Sequence, residues 1–253
     1  MSNVKLSIVI PSFNEKENLE RGVLDQVYRY LKKVKYSYEV IISDDGSTDG
    51  SLEITEKFAH EHNGFKILPN VHGGKAKAVW AGIKAAKGDI VLFTDMDQST
   101  PLSEIEKLLP WFAKGYDVVI GSRGKARANF PWFRQLASWV FRLVRSAFLL
   151  RHVADTQCGF KAFKIEVAKT IFPLLSAIKK KNQYKDWTVS AFDVELLFLV
   201  EKYGHQLKEV DVIWQDEDTS TNKNRRFVTE SIDMLKQIFQ VKLNDLKRVY
   251  DQK

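Results

Sequence analysis

The sequence predicts an α/β protein built around a mostly parallel β-sheet. Short runs rich in Ile and Val alternate with amphipathic spans through the first half of the chain. Those spans are long enough to form crossover helices, so the strands they join should lie parallel. Polar clusters follow four of the runs. In an open α/β sheet, ligands bind beyond the carboxyl ends of the strands, and the recurrence of such clusters at one edge points to a site there.

The elements follow in order. "VKLSIVIP" (4–11) reads as a buried strand. "ENLERGVLDQVYRYLKKV" (17–34) places Leu19, Val23, Val27 and Leu31 on one helical face. "YEVIIS" (38–43) is a second strand, "DGSLEITEKFAHEH" (49–62) a helix and "FKILP" (65–69) a third strand. "GKAKAVWAGIKAAKG" (74–88) is a helix closed by Gly88, and "DIVLFT" (89–94) is a fourth strand. "PLSEIEKLLPWFAKG" (101–115) opens on a proline, whose fixed φ suits a helical N-terminus. "YDVVIGS" (116–122) is a fifth strand. After Arg123 the pattern changes. Residues 128–153 are aromatic, apolar and arginine-rich, and "CGFKAFKIEVAKTIF" and a basic loop at 179–185 follow. "SAFDVELLFLVEKYG" (190–204) reads as a helix stopped by Gly204, and "QLKEVDVIW" (206–214) as a late strand. The segment 227–250 is an amphipathic helix with Ile232, Leu235, Phe239, Leu246 and Val249 at helical spacing.

Bulk composition narrows the class. A chain of 253 residues, 44% hydrophobic with 13 Gly and 6 Pro, can bury a real core and lacks a disordered signature. The single cysteine, Cys158, precludes an internal disulfide and fits a reducing compartment. "LSIVIP" is too short for a signal-peptide core, and no stretch approaches the apolar length of a transmembrane helix. The net charge of +7 would suit an anionic partner, but there is no nucleic-acid motif, so no nucleic-acid partner is expected.

The polar clusters are "PSFNEKEN", "DDGSTDGS", "DMDQST" and "GSRGKAR". Asp95 and Asp97 put two hard oxygen donors on one short turn, the ligand type that magnesium or manganese takes together with substrate phosphates. Helix capping is the alternative, with Ser99 or Thr100 as cap and the aspartates complementing the dipole. Asp44 and Asp45 end the second strand, where carboxylates can accept hydrogen bonds from a ribose or a base; Asp49 reads as a helix cap. No G-x-G-x-x-G follows the first strand, which argues against a dinucleotide fold.

The ordered set "SIVIPSFNEKENL", "ISDDGSTDGS", "GKAKAVWAG", "FTDMD" and "GSR" resembles the family 2 glycosyltransferases of the GT-A fold. "DTQCGFKAF" (155–163) and "FDVEL" (192–196) look like the dolichyl-phosphate β-glucosyltransferase branch, close to the polyprenyl-phosphate glycosyltransferases. The resemblance spans roughly residues 4–215 and implies a Rossmann-like three-layer sandwich with added amphipathic helices. With the amphipathic spacing beyond it, the expected division is a catalytic domain, 1–226, and a terminal helix, 227–253, packing on that domain, a membrane or a dimer partner.

The resemblance implies a nucleotide-diphosphate sugar donor, UDP-glucose before UDP-galactose, UDP-N-acetylglucosamine or GDP-mannose, and a polyprenyl phosphate acceptor. Pro11, Phe13 and Glu15 would contact the nucleotide, with Asp44 and Asp45 at base and ribose and Lys75 near the donor. Asp95 and Asp97 would bind Mg2+ or Mn2+ on the diphosphate. Arg123 and Arg134 would hold the acceptor phosphate, and Asp155, Gln157 and Cys158 would line the sugar-side pocket. The family pattern is broken at Gln98–Ser99, Ala76 and Trp80, and in "WQDEDTSTNK", where Lys223 would replace the usual lysine.

The chemistry fits that reading. A phosphate acceptor is already ionised near neutral pH and needs positioning cations rather than a strong base. Direct displacement with inversion would give a β-linked polyprenyl phosphate sugar. A neutral hydroxyl acceptor, as other family 2 members use, would instead require a base such as Asp155. Arg127, Arg134, Arg142 and Arg145 among Trp132, Phe133, Trp139, Phe141 and Phe148 have the look of a helix in a lipid headgroup layer. The alternative is a buried helix whose arginines pair with acids. The expectation is a peripheral enzyme on the cytoplasmic, inner face of a membrane; the terminal helix would serve equally as a homodimer contact.

Overall fold

The computed structural model describes residues 5–124, 153–179, 192–215, 236 and 238–251. Arg134, Lys223, the arginine–aromatic segment before Val153, most of the basic loop at 179–185, Ile232 and Leu235 lie outside the described residues.

The chain opens with β1 (Leu6–Ser12), α1 (Lys16–Glu20), α2 (Val23–Leu31), β2 (Tyr38–Asp44), α3 (Ser51–Glu61) and β3 (Phe65–Pro69). It continues with α4 (Lys75–Ala85), β4 (Ile90–Phe93), a 3-10 turn (Leu102–Glu104), α5 (Ile105–Ala113) and β5 (Val118–Ser122). Then come β6 (Lys161–Lys164), α6 (Ile165–Ile171), a second 3-10 turn (Phe172–Leu174), α7 (Ser176–Lys179), α8 (Phe192–Lys202) and β7 (Leu207–Asp211). A terminal stretch at 238–246 is helical.

The seven strands lie in the order β3-β2-β1-β4-β6-β5-β7. All pairings are parallel except those of β6, which runs antiparallel to both β4 and β5. Period-two alternation divides the apolar side chains between two layers. Ile8, Ile10, Val40, Ile42, Ile90 and Leu92 face a core closed by α2 and α5. Val9, Ile41, Val91, Phe93, Ile120 and Phe163 face a second core closed by α4, α6 and α8. Helices cover both faces, so β1, β2, β4 and β5 read as largely apolar runs, while the edge strands β3 and β7 are only partly buried.

Three elements depart from the expectation. The single helix expected over 17–34 is two helices, because Gly22 sits in the left-handed region at φ 75°. The helix expected from Pro101 begins one 3-10 turn later. β6 was not anticipated: its four residues include the lysine side chain of Lys161, which is fully buried. The terminal stretch buries Ile238, Val241 and Tyr250 in the second core, while Phe239, Leu246 and Val249 are exposed.

Candidate functional site

The carboxyl ends of β1, β2, β4 and β5 meet at one sheet edge, as parallel strands require. Because β6 runs the other way, its leading loop, 153–160, arrives at that same edge. Five stretches of chain therefore converge there.

At the β2 end, the two neighbouring aspartates build loops. Asp44 accepts from the Gly46 amide at 2.9 Å, the Ser47 amide at 3.0 Å and the Ser47 hydroxyl at 2.5 Å. Asp45 is fully buried and accepts from the Gly73 and Gly74 amides at 2.9 and 2.7 Å. Burial pushes its carboxyl up against these donors. His72 Nδ1 lies 2.9 Å from the same carboxylate, and the imidazole stacks on Phe13 with centroids 4.4 Å apart. Phe13 thus presents an aromatic wall backed by Asp45 and His72. Pro11 is buried inside β1, opposite Ser43.

The next wall is charged. Lys75, the first residue of α4, reaches Asp95 with Nζ 2.5 Å from Oδ1. Burial works against the ammonium, yet the pull of Asp95, Asp193 and Asp97 holds Lys75 above the usual lysine range. Asp97 accepts from the Ser99 amide and hydroxyl, both at 2.9 Å. Burial, reinforced by repulsion from Asp95, raises its carboxyl all the same. Glu15 is pushed up to about 7, chiefly by burial and further by Asp97 and Asp95, despite donation from Asn18 at 2.5 Å. Three carboxyls therefore share a field that Lys75 alone does not neutralise. Asp97 also borders a cavity of about 380 Å³ lined by Arg21, Gln26, Tyr30, Gln98 and Gln215.

This donor set fits a divalent metal. Two hard carboxylates that repel each other are what a small cation relieves. Among the described residues there is no cluster of three His, Cys, Asp or Glu placed to hold an ion. Asp95 and Asp97 would offer a cation two oxygens, and phosphate and water would complete the shell.

At the β5 end, Arg123 and Asp155 hold one another. Arg123 Nε and Nη2 donate to the carboxylate at 2.8 and 2.9 Å, and the Arg123 amide adds a third bond at 3.0 Å. Asp155 is 2% exposed. The guanidinium lies 5.6 Å from the centre of the Trp214 ring. The sequence reading put these two side chains on different tasks, and the fold makes them a pair. Gln157 is exposed, its amide 3.1 Å from Asp155. The Cys158 thiol is buried in the first core 3.9 Å from the Thr100 hydroxyl, and burial raises its pKa. Cys158 falls in step with Phe160 and Ala162 on the side that faces this core, which the residue type alone does not reveal.

Sequence reasoning missed four residues. His72 is one. Lys161 and Asp193 are two more: Nζ donates to Asp193 at 2.7 Å and to the Cys158 carbonyl at 2.5 Å. Single opposite charges inside the apolar stretches "CGFKAF" and "AFDVELLFL" were the available signal. Gly159, packed on Asp95, is the fourth.

The family model described as Glycosyl transferase family 2 matches residues 7–172. The dolichyl-phosphate beta-glucosyltransferase of Dictyostelium discoideum is 30% identical over 267 residues, covering 99% of this chain and 77% of that protein. Among solved structures, a mannosyltransferase from Pyrobaculum calidifontis, in complex with GDP-Man and Mn2+, superposes with a TM-score of 0.65 at 20% identity. That match covers 98% of this chain, which spans 65% of the other. Glucosyl-3-phosphoglycerate synthase from Mycobacterium tuberculosis, in complex with uridine diphosphate, gives a TM-score of 0.62 at 19% identity, covering 94% of this chain and 80% of the other. At those identities the two structures speak for the fold.

Proposed function

The chain belongs to glycosyl transferase family 2, and on that premise we propose that it transfers glucose from UDP-glucose to a polyprenyl phosphate, giving a β-linked polyprenyl-phosphate sugar. The relative from Dictyostelium discoideum, named for dolichyl phosphate and glucose, supports both donor sugar and acceptor. So does the layout of the edge, with an aromatic wall for a base, a carboxylate pair for a metal diphosphate and an arginine beyond.

The observation that carries the acceptor is the Arg123–Asp155 pair. A hydroxyl acceptor needs a base, and Asp155 is the carboxylate that stands in the expected place. Both its oxygens already accept from Arg123. A carboxylate committed to a guanidinium is a poor base, whereas a phosphate acceptor brings its own charged oxygen. In the proposal Asp155 orients Arg123, and Arg123, Arg134 and Lys223 position the acceptor phosphate. Phe13, with Asp45 and His72 behind it, and Pro11, Glu15 and Asp44 around it, shapes the nucleotide pocket. Gln157 lies on the sugar side, and Lys75 faces the leaving diphosphate. Asp95 and Asp97 would hold Mg2+ or Mn2+, which neutralises the charge that develops on the leaving diphosphate. The acceptor oxygen attacks the anomeric carbon from the opposite face as the diphosphate departs, with inversion.

No helix among the described residues is long and apolar enough to cross a membrane. A peripheral position at the inner face of a membrane, where the lipid acceptor is reached, completes the proposal. Residues 1–226 form its catalytic domain, and 227–253 dock on it and offer an exposed apolar edge to lipid or to a second copy.

The test is acceptor discrimination. Supplied with UDP-glucose and magnesium, the protein should glucosylate a polyprenyl phosphate and leave the corresponding polyprenol untouched. Transfer to hydroxyl acceptors alone would overturn the phosphate reading in favour of a hydroxyl-directed family 2 enzyme.

A further inference from the structure

The buried pair Lys161–Asp193 takes no part in the chemistry above, and Gly159 belongs to no motif so far explained. The structure links them to Asp95. In the β4–β6 ladder Phe93 faces Lys161. Two residues after Phe93 and two before Lys161, the same antiparallel course brings Gly159 against Asp95. The approach is close: a Cβ on Gly159 would stand 2.0 Å from Asp95 Oδ2, 2.5 Å from its Cγ and 2.8 Å from Oδ1. All three nearest atoms belong to one carboxylate, so the bare backbone of Gly159 forms one wall of its seat. Lys75 forms the other, 2.5 Å from Oδ1.

Both walls lead back to Asp193. Lys161 Nζ is fully buried and donates to Asp193 and to the carbonyl of Cys158, the residue before Gly159. Asp193 therefore fixes Lys161, and Lys161 fixes the peptide that presses Gly159 on Asp95. Asp193 also acts on Lys75, adding to the pull that keeps it charged. A charged lysine in an apolar core is costly unless paired, and here the pairing anchors a loop turn.

We propose that Gly159, Lys161 and Asp193 are positioning residues that clamp the Asp95 carboxylate between a glycine backbone and Lys75, in the orientation used to take a divalent metal. The clamp rests on the assignment of Asp95 as a metal-carrying residue. Its distinguishing feature is geometric: space at 159, rather than charge, sets where one metal oxygen lies.

The experiment titrates Mn2+ alone into the metal-free full chain and into the Gly159→Ala protein, following free Mn2+ by electron paramagnetic resonance. Gly159→Ala should raise the Mn2+ dissociation constant about tenfold or more, the size expected when the supports of a metal ligand are disturbed. Its thermal melt should stay near that of the wild type, which separates a clamp from a general structural role. An unchanged dissociation constant in a folded Gly159→Ala protein would overturn the clamp. The double variant Lys161→Met/Asp193→Leu removes the pin without leaving a buried charge unpaired, and should weaken Mn2+ similarly; unchanged affinity there would also count against it. If the wild type takes up no Mn2+ either alone or with UDP added to complete the shell, the metal assignment fails by itself. A crystal structure of metal-free Gly159→Ala then decides the clamp: Asp95 displaced from Lys75 supports it, and Asp95 still at its 2.5 Å contact overturns it.

Discussion

Asp155→Asn separates a structural carboxylate from a catalytic base. Asp155 is 2% exposed and takes bonds from Arg123 Nε, Nη2 and amide and from the Gln157 amide, at 2.8, 2.9, 3.0 and 3.1 Å. Asparagine keeps the shape, removes the charge and turns an NH2 toward a guanidinium. Breaking one partner of a buried ion pair costs about 3–5 kcal/mol, because the other charge is left unpaired. For a chain of this size each kcal/mol lowers the melting temperature by about 2–4 °C, so a fall of about 6–20 °C is expected by calorimetry or circular dichroism. Arg123→Met combined with Asp155→Leu should fall less than Asp155→Asn alone, since neither charge remains. A melting temperature for Asp155→Asn within about 2 °C of wild type would refute the reasoning and restore Asp155 as a candidate base.

Further outcomes follow from the same geometry. Asp97→Ala should cut metal-dependent glucosyl transfer by about a hundredfold or more, since it removes one of two oxygens neutralising the leaving group; normal turnover would remove Asp97 from the metal site. Glu15 titrates at about 7 in the fold against 4.5 in the free side chain. The folded state binds the proton more tightly, so stability of the metal-free protein falls as pH rises from the free value through about 7. Glu15→Gln should abolish that part of the slope in urea titrations between pH 5 and 8, and an unchanged slope would show that Glu15 is not strained. Tyr250→Phe deprives buried Glu195 of a donor at 2.7 Å and should cost about 1–3 kcal/mol in the same assay, loosening the terminal stretch from α8. Gly82→Ala would set a Cβ 2.4 Å from Val9 Cγ1, an overpacking that should cost about 1–3 kcal/mol.

β1, β2, β4 and β5 were legible because each is an apolar run buried on both faces, a local pattern; β3, at the sheet edge, is only partly buried and was legible from its short apolar run before Asn70. β6 was not: lysines stand at both ends of its four residues, and the partner of Lys161, Asp193, is 32 positions away. The break at Gly22 was hidden because Leu19, Val23, Val27 and Leu31 keep helical spacing across it, and all four are buried as expected. At the site, residue types were readable and relationships were not. Asp95 and Asp97 follow the carboxyl end of β4, two residues apart in the chain. Arg123 and Asp155 were each singled out, yet nothing local says that one occupies the other. Cys158 illustrates the same limit, since it falls in step with Phe160 and Ala162, which face the first core, only once β6 is known to follow it. In the terminal stretch the apolar positions Phe239, Leu246 and Val249 share helical spacing, but Ile238, Val241 and Tyr250 are the ones that reach the core.

The central claim is transfer of glucose to a lipid phosphate at the Asp95–Asp97 edge. The most direct measurement incubates the purified protein with UDP-glucose, magnesium and an undecaprenyl-type polyprenyl phosphate, then identifies the lipid product by mass and its anomeric configuration by NMR. The account expects a β-linked glucosyl phosphate lipid that disappears when the metal is chelated. An α-linked product would contradict direct displacement, and metal-dependent release of free glucose with no glycolipid would contradict the acceptor.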